Sequence, residues 1–152
     1  MAHARLSDRF CLAGILAIGG QSIIFHARDE AHPRQALVAR MGWLPYDRPA
    51  SFGEAQIIAS RNRIRREADL LRQFGGPILP AFHALVPAGN PLLPPEWGAL
   101  VEGEPFLVME KVPGVSLRDW IHGSHRGDAP PVRERERIAR ELARTALELF
   151  RS

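Results

Sequence analysis

Two charged residues stand where apolar ones would pack. The run ALVARM, residues 36 to 41, carries a single charge, Arg40. Further along, Ile64, Glu67, Ala68 and Leu71 follow the i, i+3, i+4, i+7 spacing of a helix face, so Glu67 lies on or beside the core-facing stripe. A carboxylate there requires a cation or hydrogen bonds, because a buried unpaired charge is costly. Arg40 is the partner this predicts across the core. Arg63, one turn earlier on the helix, is the alternative at the exposed edge.

A second candidate is the pair Gly19 and Gly20 in GILAIGGQSIIFHAR, residues 14 to 28. Glycines between two apolar strands let backbone N–H groups approach phosphate oxygens closely. The same residues also make an ordinary hairpin turn, and the pair alone does not separate the two. Other chemistries find little support. Cys11 is the one cysteine, so no disulfide forms within the chain and a reducing cytosol is the expected compartment. The six histidines lack metal-ligand spacing; His122 and His125 are three apart, but glycines at 123 and 127 place them in a loop. Lys111 is the only lysine beside 19 arginines, so no lysine-type base is available elsewhere.

The elements that would position these residues are legible from periodicity. Phe10 to Leu16 and Ser22 to Ala27 read as strands flanking the glycine turn, and residues 36 to 41 as a third. Alternation puts Ala36, Val38 and Arg40 on one face, with Leu37, Ala39 and Met41 on the other. A helix follows over about 54 to 74, stopped by Gly75-Gly76-Pro77. ILPAFHALVPAG and PFLVMEKV read as two more strands around a proline-rich loop. From Val132 the chain is helical again, with Ile138, Leu142, Thr145 and Leu149 on one face and the pairs Glu136–Arg140 and Arg137–Glu141. The expected class is α+β, with a five-stranded antiparallel sheet, one major helix and a C-terminal helical tail.

Taken in order, the glycine hairpin, the cation on the third strand, the helix glutamate and LVMEKVPG resemble the N-terminal lobe of a protein kinase of the bacterial serine/threonine type. The glycine-loop pattern G-x-G-x-x-G-x-V falls on residues 17 to 24, and V-A-I-K falls on Leu37-Val38-Ala39-Arg40. The resemblance implies a kinase-like N-lobe over residues 9–112. It also implies a hinge exit and partial helical C-lobe over 113–152. Arg40 and Glu67 would be the lobe's ion pair, with Gly19 and Gly20 over the phosphates. Leu16, Ile24 and Val38 would sandwich an adenine, Met109 would be the gatekeeper, and the hinge backbone at Glu110 and Val112 would hold the base. The implied ligand is ATP with Mg.

The sequence departs from that pattern in ways that matter. Ala17 and Ser22 replace two signature glycines, and each adds a Cβ where backbone should approach phosphate. Arginine at position 40 keeps the charge but has a bulkier planar fork than lysine. The catalytic loop H-R-D-x-x-x-x-N and D-F-G are missing: HRGD at 125 to 128 and SFG at 51 to 53 stand in the wrong places. No catalytic or metal-binding residue is therefore assigned, and the chain is not expected to phosphorylate alone, with ATP held weakly or not at all. The alternative is a pseudokinase-type interaction domain without nucleotide. The expected partners are a separate C-lobe, another protein, or a second copy through the last helix. Nucleic acid is disfavoured, because acidic and apolar residues interleave the arginines of 61 to 72. No stretch reaches the ~20 apolar residues of a membrane span. The basic start with its apolar run resembles an export signal, but Asp8 and Gly14 interrupt it.

Overall fold

Alternating apolar residues in short runs build strands that pair antiparallel, and a helix-period stripe covers one side. The structure is a computed structural model. It describes residues 4–19, 21–42, 54–76, 79–87, 105–114 and 131–151. The strands are β1 (Ala4–Arg5), β2 (Phe10–Ile18), β3 (Ser22–Asp29), β4 (Leu37–Gly42), β5 (Phe82–Val86) and β6 (Phe106–Glu110). They form one sheet in the order β1-β2-β3-β4-β6-β5, antiparallel throughout. Two helices complete the chain, α1 (Glu54–Phe74) and α2 (Val132–Arg151). Five full strands match the sequence expectation. The two-residue β1 on the edge was not anticipated, because two residues carry no readable period.

The sheet separates two apolar clusters by strand alternation. Leu37, Ala39 and Met41 of β4 join Phe10, Leu12, Ile23, Phe25, Phe106 and Val108 on one face. Ala39, fully buried, is small enough for Phe25 and Phe106 to meet beside it, with ring centroids 6.0 Å apart. On the opposite face Val38, Leu107 and Met109 pack against Ile64, Ala68 and Leu71 of α1. Arg72 of α1 also lies over the Phe82 ring at 4.7 Å.

Two glycines have backbone duties. Gly75 donates its N–H to the Leu71 carbonyl at 2.8 Å, ending α1. A Cβ there would sit 2.3 Å from that oxygen and 3.0 Å from the Pro80 oxygen, so no side chain fits. Gly14 has φ +151° beside a bulge, and open space surrounds its missing Cβ, so its role is conformational. The β2–β3 register slips twice, from Leu12↔Ala27 to Gly14↔His26 and from Ile15↔Phe25 to Ala17↔Ile24. Ala13 and Leu16 are the residues left without partners.

At the far end of β3 the Asp29 side chain is fully buried. Arg9 grips both of its oxygens at 2.6 to 3.0 Å, His32 Nδ1 lies 3.1 Å away, and the Ala31 N–H donates at 2.9 Å. These partners, Arg9 first, hold its carboxyl well below the ordinary carboxylate range against the opposing effect of burial.

The chain divides into two compact units, Met1–Lys111 and Val112–Ser152. In the second, α2 carries Arg137 between Glu134 at 2.7 Å and Glu141 at 2.9 Å, and Arg140 beside Glu136 at 3.6 Å. Val132, Leu142 and Leu147 are exposed. The side chains of Thr145 and Leu149 lie outside the described residues. Among those described, no helix is long and apolar enough to cross a membrane.

Candidate functional site

The charge in β4 and the charge on α1 meet. Arg40 Nη1 donates to Glu67 Oε1 at 2.6 Å, with the two side chains 28% and 26% exposed. Strand alternation turns Arg40 toward the helix face, as it does Val38, and helix periodicity sets Glu67 next to Ala68 at the contact. The pairing at partial burial is charge-assisted and short, stronger than a surface ion pair. One guanidinium donor is left over: Arg40 Nε is buried and has no hydrogen-bond acceptor among the described residues. Such an atom in a folded protein calls for an explanation.

Arg63, the exposed-edge alternative for Glu67, is engaged elsewhere. Its Nη1 donates to Gln21 Oε1, tying α1 to the β2–β3 turn. Thus two side-chain bridges run from successive turns of α1 to the sheet. One reaches the hairpin tip and the other reaches the strand next to it.

The turn itself is tight. The Gly19 N–H donates to the Ser22 carbonyl at 2.8 Å, which closes the hairpin and occupies that N–H. A Cβ on Gly19 would lie 3.5 Å from the Ser22 oxygen, an ordinary contact, so nothing here demands glycine. Gly20 lies outside the described residues.

The residues expected around a ring, Leu16, Ile24 and Val38 as its sandwich and Met109 as gatekeeper, are spread from buried to open. Val38 and Met109 are register partners on β4 and β6 and both are buried in the cluster under α1. Ile24 packs half-buried against that cluster, and it pairs with Arg40 across β3 and β4. Leu16 is the bulged residue of β2 and is 42% exposed. Leu16 and Ile24 are therefore the accessible members of this set, and Val38 and Met109 the buried ones.

At the end of β6, Glu110 holds Ala81 twice. Its N–H donates to the Ala81 carbonyl at 2.9 Å, and its carboxylate accepts the Ala81 N–H at 3.1 Å. Lys111 N–H donates to the Ala36 carbonyl at 2.8 Å. Val112, next in line, is exposed.

Two features escaped the sequence reading. The Arg63–Gln21 bridge had no local signal, since its two residues stand 42 apart in the sequence. The Arg9–Asp29–His32 cluster was signalled only by an aspartate closing an apolar strand. Cys11 is buried, and burial pushes its thiol up in pKa, which keeps it protonated and unreactive. No group of three or more His, Cys, Asp or Glu suited to a metal occurs among the described residues. Trp43, Trp97 and Trp120, His122 and His125, and the HRGD and SFG segments lie outside them.

The sequence matches no family model and no curated protein.

Proposed function

We propose that residues 9–112 are a kinase-like lobe that binds ATP. The observation that carries the reading is the Arg40–Glu67 ion pair joining the third long strand to the helix. In kinases the equivalent lysine–glutamate pair holds the α- and β-phosphates in register. Here the arginine keeps the charge at that position. The half-buried Ile24, its register partner on β3, offers apolar surface beside it, and Leu16 on β2 is an exposed apolar residue of the kind an adenine packs against. Binding is the whole of the assigned role; phosphoryl transfer is not assigned to these residues, and Mg would be brought by the nucleotide.

The test is a thermal-unfolding shift with and without Mg-ATP. A ligand that binds the native state alone, at about 100 times its Kd, adds about 2.7 kcal/mol. The expected result is a clear rise in Tm that disappears in Leu16→Glu, an exposed position where the substitution leaves the core intact. A cooperative melt that ATP leaves unmoved would remove the reading.

A second reading has its own support. The Gly19 N–H is already spent on Ser22, and Leu142 and Leu147 stand exposed on α2. Both favour an interaction domain of the pseudokinase type, without nucleotide, that meets a helical partner or a second copy through α2. Concentration-dependent mass in solution, unaffected by ATP, would be its signature.

A further inference from the structure

We propose that Arg63 is the residue that meets the phosphates, taking over from the hairpin backbone; this rests on the nucleotide-binding reading above. Three observations converge. First, among the described residues of the hairpin the Gly19 N–H is closed onto the Ser22 carbonyl at 2.8 Å, and the flanking positions 17 and 22 carry side chains. Secondly, Arg40 has committed Nη1 to Glu67, so its charge is largely compensated before any anion arrives. Thirdly, Arg63 reaches the hairpin tip with its charge intact. Its hydrogen-bond partner there is the neutral Gln21 amide, and it forms no ion pair among the described residues.

The placement suits an anion. Arg63 and Glu67 are four residues apart on α1, about 6 Å along the axis, so the Arg63 guanidinium lies one turn from the Arg40–Glu67 pair. A polyphosphate lying along that seam would meet Arg63 at its outer end and approach the Arg40–Glu67 pair at its inner end. The Gln21 carbonyl oxygen is a weak competitor for a guanidinium, because a phosphate offers two charged oxygens in bidentate geometry. Binding would therefore exchange the Gln21 contact for phosphate and release the tie between hairpin and helix. Recognition by a side chain in place of backbone makes the affinity for the phosphate portion dependent on charge and on salt.

The experiment is calorimetric titration of the full chain, wild type and Arg63→Gln, with Mg-free ATP and with adenosine. Both residues at the bridge are exposed, so the variant retains its fold, and its thermal melt is the control. Loss of one charge-assisted contact to phosphate should weaken ATP about tenfold or more, with adenosine unchanged. Gln21→Ala, which frees Arg63, should bind ATP at least as tightly as wild type. If Arg63→Gln binds ATP as wild type does, Arg63 is no phosphate contact, while nucleotide binding stands. If adenosine binding weakens in parallel with ATP, the residue acts on the fold of the site and the proposal is overturned. If neither ligand binds the wild type, the nucleotide reading falls and this inference with it.

Discussion

Arg40 on β4 and Glu67 on α1 meet at 2.6 Å, each about a quarter exposed, 27 residues apart in the chain. The contact fixes the rotation of α1 over the sheet, because Glu67 must face β4 while Ile64, Ala68 and Leu71 fill the apolar cluster. Glu67→Ala leaves a half-buried guanidinium whose Nε already lacks an acceptor among the described residues. The expected loss is about 1–3 kcal/mol, read as a fall in the denaturation midpoint with unchanged slope. Replacing both residues by apolar ones, Arg40→Met with Glu67→Leu, should recover most of it. A single variant as stable as wild type would mean that the pair is solvated.

Gly75 is the position least tolerant of a side chain. Its missing Cβ would collide with the Leu71 and Pro80 carbonyl oxygens. Gly75→Ala should lower stability by more than about 1 kcal/mol, outweighing the stabilisation that comes from alanine's smaller unfolded-chain entropy. An unchanged or raised Tm would contradict the close approach at the end of α1.

Asp29 makes stability depend on acid. Its folded-state pKa is depressed by Arg9, then by His32 and the Ala31 N–H. The contribution is therefore complete above the unfolded value of about 3.9 and is lost as pH falls toward the lower folded value. Asp29→Asn should lower Tm at pH 7, and its gap from wild type should narrow as the pH is taken from about 5 toward 2. A gap of constant size across that range would show that the carboxylate charge contributes nothing.

Phe106 is fully buried at the centre of the first cluster, against Phe25. Phe106→Ala should cost about 3–5 kcal/mol, through lost transfer energy and the cavity left behind. A fall well under that range in urea denaturation would mean that the sheet collapses into the space.

Much of the fold was legible because it rests on strict periods. The alternation in ALVARM assigned Leu37, Ala39 and Met41 to one face and Val38 and Arg40 to the other, and the two clusters divide the same way. The spacing of Ile64, Ala68 and Leu71 gave α1 its buried stripe. The bulges in β2 were not legible, since a bulge moves one residue without disturbing the local run of apolar residues. They leave Leu16 unpaired and exposed rather than facing a register partner. The Arg63–Gln21 bridge was also hidden: two polar residues 42 apart meet only once the hairpin and helix are folded. The buried Asp29 had a cue in its strand, but its partner Arg9 lies 20 residues away, in the connection just before β2.

The most direct test of the nucleotide-binding account is a titration of the isotopically labelled chain with ATP, followed by amide NMR. The account predicts saturable shifts at Leu16, Gln21, Ile24, Arg40 and Met109, with Asp29 and its neighbours at the far end of the sheet unmoved. No shifts at saturating ATP, or shifts confined to α2, would contradict it.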